Sequence, residues 1–290
     1  MKCPICGEIS FIEWCKVETY SILKCRVCGI GVTAPFPAKE DLIELNKGVY
    51  DVEQRIRVYL SRQDDFKKRY EGYIRNIKKL EGSGKLLDIG CNIGFFMKAA
   101  QQAGFDVKGV ELNEGCAAYG REKFHLDIYS KCIEDIGFSD KTFDIITLFD
   151  VLEHVPDMHG FLVEVRRILK NNGLLILQSP NFNSLMAELT KSKWHWLTPT
   201  DHLYHFTPET MIRFLLSHGF AVKEIKTWEP ARDFSNNLMA AYRINGLIGR
   251  ALQRLLNLTG IIFVPILLLQ RMWWKMKKGG LIEVYAIKTN

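Results

Sequence analysis

Asp88, Gly90 and Gly94 are spaced as D-x-G-x-x-x-G inside the run Leu86-Leu87-Asp88-Ile89-Gly90-Cys91-Asn92-Ile93-Gly94-Phe95-Phe96. An acid closing an apolar run, followed by two glycines, sets a carboxylate beside backbone that a ligand can approach closely. Dinucleotide sites use a related turn, but theirs reads G-x-G-x-x-G and receives a pyrophosphate. A carboxylate here would repel that group, so the chemistry favoured by this turn is binding of a cationic ligand. Glu111 follows 23 residues after Asp88. At that distance nucleotide-binding α/β units place an acid that accepts hydrogen bonds from ribose hydroxyls.

A second constellation lies near the amino terminus. Cys3-Pro4-Ile5-Cys6-Gly7 and Cys25-Arg26-Val27-Cys28-Gly29 are separated by 18 residues. Two such pairs can wrap the thiolates of Cys3, Cys6, Cys25 and Cys28 tetrahedrally around one Zn²⁺, and a closed four-thiolate site is structural rather than catalytic. Phe11 to Trp14 and Tyr20 to Lys24 can supply a short hairpin between the knuckles, while Gly31 to Pro37 leads away from this zinc ribbon. Four unrelated structural thiols are the competing reading, and Cys15 reads as a small buried residue.

The elements that must position these groups alternate in type. Strands are expected at Leu86–Ile89, Phe105–Val110, Phe143–Phe149, Gly173–Gln178, Phe220–Trp228 and Gly280–Lys288. Helices are expected from about Phe95, over Phe161–Lys170, and from Thr207-Pro208-Glu209 through Leu216 to a stop at Gly219. Asn171-Asn172-Gly173 reads as a turn. Asp51 to Leu80 reads as one charged helical connector with apolar spacing at Ile56, Tyr59, Leu60, Phe66, Tyr70, Tyr73, Ile74 and Ile77.

Four motifs in order, LLDIGCNIG, GVELN, FDIITLFDVLEHVPD and ILKNNGLLILQSPN, closely resemble the class I S-adenosylmethionine-dependent methyltransferases over about Lys85 to Trp228. The ribbon, the connector and the later His202-Leu203-Tyr204-His205-Phe206-Thr207-Pro208-Glu209 resemble a bacterial branch associated with glycan or cell-envelope biosynthesis. The expected fold is therefore α/β: a Rossmann-like seven-stranded methyltransferase sheet with an N-terminal zinc ribbon and an apolar helical insertion before the last strand. Its divisions fall at 1–34 (ribbon), 35–84 (helical connector), 85–228 with 280–290 (methyltransferase domain) and 229–279 (insertion).

The resemblance implies that Asp88, Gly90 and Gly94, with Cys91 and Asn92 between them, surround the methionine end of S-adenosylmethionine. Glu111 would bind both ribose hydroxyls, with Leu112 beside it. Cys132 and Ile133 fall beside the adenine, where Cys132 replaces the usual acid and removes a hydrogen bond to the adenine amino group. Phe149 would lie beside the methionyl group. A base is needed only where the acceptor must lose a proton. His154 is the first candidate and His202 the second, ahead of Asp150, Glu153 and His205, although each could instead hydrogen-bond within the protein. Trp194-His195-Trp196 and Tyr204 are either walls for a sugar or aromatic ring or packing residues.

Composition bounds the rest. The 290 residues carry a net charge of +6, are 47% hydrophobic and 25% charged, and include eight cysteines. That fits a folded α/β domain with additions and reads as metal ligands and cytosolic thiols rather than a disulfide framework. Met1-Lys2-Cys3-Pro4 shows no secretory core segment, so a cytoplasmic chain is expected. Between Arg254 and Arg271 lie 16 uncharged residues interrupted by Gly260 and Pro265, short of the roughly 20 needed to span a bilayer. Both flanking strands must join one sheet, so an interfacial or re-entrant hairpin is expected, with peripheral contact to the inner membrane face through 244–278. A lid or a homodimer interface is the alternative cover for that surface. The expected acceptor is a sugar or lipid-linked glycan intermediate. RNA base methylation is the first rival, weighed down by an insertion that suits lipid better than nucleic acid, and a non-enzymatic cofactor-binding module is the second.

Overall fold

A computed structural model describes residues 1–36, 52–230 and 271–289, with positions 233, 234, 236, 237 and 239 between them. Most of the expected insertion, and residues 37–51 of the connector, lie outside the described residues. Along the chain run β1 (Phe11–Val17), β2 (Tyr20–Cys25), β3 (Gly31–Ala34), α1 (Val52–Ser61), α2 (Gln63–Leu80), β4 (Lys85–Ile89), α3 (Phe95–Gln102), β5 (Asp106–Val110), α4 (Glu114–Phe124), β6 (Ile128–Tyr129) and α5 (Ile133–Ile136). They are followed by β7 (Phe143–Phe149), α6 (Met158–Ile168), β8 (Leu169–Pro180), α7 (Leu185–Thr190), β9 (Tyr204–His205), α8 (Pro208–Ser217), β10 (Phe220–Trp228) and β11 (Leu281–Lys288).

Seven strands form one sheet in the order β10-β11-β8-β7-β4-β5-β6. The pairs β4–β5, β4–β7 and β5–β6 are parallel. Parallel strands are covered by helices on both faces, which is why Leu86, Leu87, Ile145, Ile146 and Leu148 read as continuous apolar runs and are all fully buried. Parallel register also brings the carboxyl ends of β4, β5 and β7 to one edge, where Asp88, Glu111 and Asp150 stand. Strands β10 and β11 lie side by side at the end of this sheet, in keeping with the expectation that both join one sheet.

The chain divides into two compact units, and each is described by itself. One comprises Pro37–Leu177, Leu216–Lys223 and Tyr285–Asn290; the other comprises Met1–Phe36, Gln178–Leu215 and Glu224–Val284. The ribbon thus falls in the same unit as 178–215 and 224–284, a grouping that does not follow the chain divisions at 34 and 228. In the first unit α2 buries Tyr73, Ile74 and Ile77 with Phe96, Met97, Val107 and Ile145 in one core. Its helical stripe recurs at three- and four-residue intervals, with Asp64 and Asp65 in the first turn and Lys78 and Lys79 in the last, which suits the helix dipole.

Several local expectations are corrected. The connector is two helices, because Arg62 between them leaves helical geometry at φ −112° and ψ 12°. Asn171-Asn172-Gly173 is no turn between elements: α6 ends at Ile168 and β8 runs through all three, with Asn172 at φ 60°. Asn tolerates that left-handed geometry, so the strand kinks and continues. Nor does the chain leave the ribbon at Gly31. There it forms β3, pairing with β2 and, through Gly31 and Val32, with His205 and Tyr204 of β9. The second unit therefore holds a four-stranded sheet, β1-β2-β3-β9. Its neighbouring core joins Ile22 of the ribbon to Phe182, Met186, Trp194, Leu197 and Phe234.

Candidate active site and metal centre

The acid at the end of β5 organises the sheet edge. Glu111 is buried, and both of its carboxylate oxygens are engaged by backbone: the N–H of Asn92 donates to Oε2 at 2.8 Å and the N–H of Asn113 to Oε1 at 2.9 Å. One donor lies in the glycine turn after β4 and the other opens α4, where the Asn113 side chain also accepts from the N–H of Cys116 at 3.0 Å. The turn itself is stitched to β5 by the N–H groups of Gly90 and Cys91, which donate to the Val110 carbonyl at 2.7 and 3.1 Å. Gly90 and Gly94 sit at φ 75° and 85°, and Asn92 at φ 51°. A side chain added at Gly90 would run into Val151 and one at Gly94 into Leu126, so the tight turn requires both glycines.

Asp88 is buried in a different way. The Thr147 hydroxyl of β7 donates to its Oδ1 at 2.7 Å. Burial raises its carboxyl to about 7, the Thr147 hydrogen bond works against that rise, and the Glu111 charge adds to it. The edge therefore presents a weakly acidic carboxyl next to one anchored by backbone donors. Thr147 was invisible in sequence as a site residue, since it reads as one more β-branched residue of a buried strand.

Aromatic residues of the helical pair meet the end of β7. Phe149 packs on Tyr73 at 4.7 Å and on Phe96 at 4.9 Å between ring centroids. Tyr59 of α1 stacks on Phe66 of α2 at 5.0 Å, and Phe66 stacks on Tyr70 at 5.7 Å. Asp150, just past β7, adopts φ 57° and lies 3.9 Å from the Arg69 guanidinium. Burial raises the Tyr59 hydroxyl; Arg55 counters it, while Asp150 and Glu111 add to it, so this phenol lies in the field of both acids. Tyr59, Arg69 and Tyr70 were read from sequence only as the apolar and charged sides of a connector. The periodicity that found that helix contains no signal for what it covers.

The remaining expected positions are placed as follows. Leu112 is half-buried after Glu111, Cys91 is buried, Cys132 is half-buried at the start of α5 with no side-chain cap bond, and Ile133 is buried. His154 ends a 3-10 turn spanning Leu152–His154 and is half-buried, and Glu153 beside it is buried. His202 is buried in the other unit, where its carbonyl accepts from the Thr33 hydroxyl at 2.6 Å. The two histidines belong to different units. His205 is corrected from base candidate to structural residue: it lies 3.0 Å from Thr33 Oγ1, and burial lowers its imidazole to about 3. Trp194 is likewise core, packing beside Phe182 with 2% of its surface exposed.

The four ribbon thiols converge. Cys3 and Cys28 sulfurs are 3.4 Å apart, Cys6 and Cys25 sulfurs 3.7 Å, and all four lie within 4.8 Å of one another. Sulfurs bound tetrahedrally at about 2.3 Å from zinc would be about 3.8 Å apart, so the thiols fit such an ion. The knuckles repeat one geometry: the N–H of Gly7 donates to Cys3 O and that of Gly29 to Cys25 O, at 2.9 and 3.0 Å. Burial pushes the Cys25 thiol up, but backbone donors at Cys28 and Val27 and the Cys6 thiol outweigh it and bring it to about 7.

Comparison with known proteins follows the same lines. The family described as a methyltransferase domain matches residues 62–225. The chain is 29% identical over 168 residues to a ubiquinone biosynthesis O-methyltransferase of Bradyrhizobium diazoefficiens, covering 54% of this chain and 66% of that protein. The chain thus spans just under two thirds of the length of that relative. Among solved structures, phosphoethanolamine N-methyltransferase 2 of Haemonchus contortus, in complex with S-adenosyl-L-methionine, superposes with a TM-score of 0.60 at 14% identity, over 97% of this chain and 71% of that one. A methyltransferase of Thermotoga maritima, described as a possible histamine N-methyltransferase, gives 0.53 at 18% identity over 82% and 96%. These structures share the fold. The chain belongs to the methyltransferase-domain family, a class of S-adenosylmethionine-dependent enzymes.

Replacing Glu111 by Ala removes two charge-assisted bonds worth about 1.5–3 kcal/mol each. We expect cofactor affinity, read by calorimetry, to fall at least about tenfold, and Glu111→Gln to fall less because one acceptor oxygen survives; parental affinity in both variants would remove Glu111 from the site. Cys25→Ser should lose one equivalent of zinc by elemental analysis, and retention of that equivalent would defeat the four-thiolate assignment.

Proposed function

We propose that this chain transfers the methyl group of S-adenosylmethionine to a hydroxyl of a lipid-linked acceptor, with a sugar of a glycan or cell-envelope intermediate as the first acceptor class. The observation that carries the cofactor part is the pairing of backbone-anchored Glu111 with buried Asp88 at the carboxyl edge of parallel strands. The donor set suits the ligand: two carboxylates for a molecule with vicinal hydroxyls and a fixed positive charge, and a glycine turn that admits its backbone-hugging end. S-adenosylmethionine, when bound, supplies a methyl group on a sulfonium sulfur that is transferred by in-line displacement.

The chain's own residues would divide the remaining work. Glu111 oxygens each retain lone-pair capacity beyond their backbone bonds and would accept the ribose hydroxyls. Asp88, Gly90, Cys91, Asn92 and Gly94 would line the methionine end, with Leu112 near the ribose, Cys132 and Ile133 near the adenine, and Phe149 beside the methionyl group. Alignment of acceptor and methyl group supplies much of the rate in such a reaction. His154, and after it His202, would take the proton of the acceptor hydroxyl. Zn²⁺ on Cys3, Cys6, Cys25 and Cys28 would be structural.

The acceptor class rests on the ribbon and on the segment from His202 to Glu209, which pair directly through β3 and β9 within one unit. Oxygen as the methylated atom is supported by relatives named for O-methylation. Those relatives also favour a second reading, a phenolic precursor of a quinone. Peripheral membrane contact through 244–278 is part of the proposal. Among the described residues no helix is long and apolar enough to cross a membrane. At 272 and 276, exposed methionines alternate with exposed Arg271, Lys275 and Lys277, a pattern suited to an anionic lipid surface.

Two measurements test this. With methyl-labelled cofactor and anionic liposomes carrying either lipid-linked sugars or polyprenylated catechols, we expect label in the sugar lipids and co-sedimentation of the protein. Label confined to the catechols would assign the quinone-type acceptor instead. Ionised Asp88 is the form that attracts a sulfonium. Its carboxyl stands at about 7, above the ordinary value of 3.8, so its contribution to stability is fully present below about 3.8 and is lost as pH rises through about 7. Cofactor affinity runs the other way and should rise about tenfold between about pH 6 and about pH 8. Asp88→Asn should flatten that slope, and a slope unchanged by the substitution would free Asp88 of the role.

A further inference from the structure

Among the residues not assigned to the cofactor or the thiolate centre, two histidines face each other. His159 is the second residue of α6, and His218 lies in the His218-Gly219 turn between α8, which ends at Ser217, and β10; both belong to the first compact unit. His159 Nδ1 and His218 Nε2 are 3.1 Å apart, with ring centroids at 5.0 Å and planes tilted by 34°. His159 is exposed and His218 half-buried, so solvent reaches the pair.

The separation has chemical meaning. Imidazole nitrogens bound to one transition-metal ion at about 2.0–2.1 Å sit about 2.9 Å apart at a right angle and about 3.4 Å apart at the tetrahedral angle. The observed distance lies between these limits. The nitrogens that meet are Nδ1 of one ring and Nε2 of the other. The second nitrogen of His218, Nδ1, stands 3.2 Å from the Ser217 hydroxyl, the kind of outer contact that fixes ring orientation and tautomer in metal sites.

The backbone beneath both rings is held. Asp157 caps α6 by accepting from the N–H of Gly160 at 3.0 Å. The Gly219 carbonyl accepts from both the N–H and the hydroxyl of Thr289, at 2.9 and 2.8 Å. Arg166, the nearby cation, donates to the Thr289 carbonyl at 3.1 Å. We infer that His159 and His218 form a two-histidine site for a borderline divalent transition-metal ion, its other positions completed by water. Imidazole donors suit zinc, copper or nickel rather than magnesium or calcium. The ion would clamp the first turn of α6 to the turn entering β10. It is separate from the four-thiolate centre, whose donors all lie in Cys3 to Cys28.

The test is calorimetric titration of the full chain with Zn²⁺ after one equivalent has filled the thiolate centre. A second equivalent should bind, and both His159→Gln and His218→Gln should weaken that second equivalent at least tenfold while leaving the first intact. Absence of a second equivalent in the parent, or its survival at full affinity in either variant, would reduce the pair to a hydrogen bond between rings and overturn the site. Both side chains are solvent-accessible, and far-ultraviolet circular dichroism establishes that the variants are folded.

Discussion

The burial of Glu111 is the constraint on which the candidate active site depends. A carboxylate taken out of water at a strand end costs several kcal/mol unless its oxygens find donors. Here the donors are the main-chain N–H groups of Asn92 and Asn113, from two turns far apart in sequence. Each turn is therefore shaped by the same side chain. Asn92 must hold a left-handed conformation to take part, and its Oδ1 accepts from the N–H of Ile93 at 2.9 Å, which uses the side chain to steady the strained position. Gly90 is bound to the same strand end through Val110. The turn is consequently tied to β5 by hydrogen bonds that the chain itself supplies.

The two acids at this edge are held differently. Glu111 is anchored by backbone donors, whereas Asp88 has the Thr147 hydroxyl and is raised to about 7. Glu111 is fitted to accept neutral hydroxyl donors. Asp88 gains most from a permanent cation, because such a ligand offsets both the burial and the neighbouring charge that disfavour its ionised form. The aromatic residues from Tyr59 to Tyr73 complete this logic by making the surroundings of the edge apolar, where a charge contact is less screened than in water.

Fold class was legible because four motifs in order carried the resemblance, and because short apolar runs such as Leu86-Leu87 and Ile145-Ile146 read as buried strands. Strand β10 and the glycine turn could be placed to the residue for similar reasons: a stop at Gly219 and a spacing that only glycine can satisfy. The break at Arg62 left no trace, since neither proline nor glycine marks it. Strand β8 was misread at its start because Asn-Asn-Gly is turn chemistry, and only tertiary pairing decides that the chain kinks rather than reverses. At the site, acids and glycines announced themselves through type and spacing. Thr147, Tyr59 and Arg69 did not, because their importance comes from what the fold brings opposite them. His205 shows the converse, a reactive residue type whose burial leaves it neutral and structural.

The ribbon's relation to the rest of its unit follows from one hydroxyl. Thr33 on β3 is fully buried; it donates to the His202 carbonyl and stands within hydrogen-bond reach of His205. Its strand is paired to β2, whose last residue is Cys25. Gly31 leaves no room for a side chain, as one would meet His205 and Phe182. What orders the four thiols therefore orders β2, then β3, and through Thr33 the backbone from His202 to His205. Just beyond, Thr207 and Thr210 bond reciprocally at 2.7 and 3.2 Å to start α8, so the whole stretch from Leu203 to Thr210 is held at both ends. The four thiols can in this way set the conformation of the segment on which acceptor recognition is proposed to depend, and that gives such a cluster a reason to be joined to an enzyme of this class.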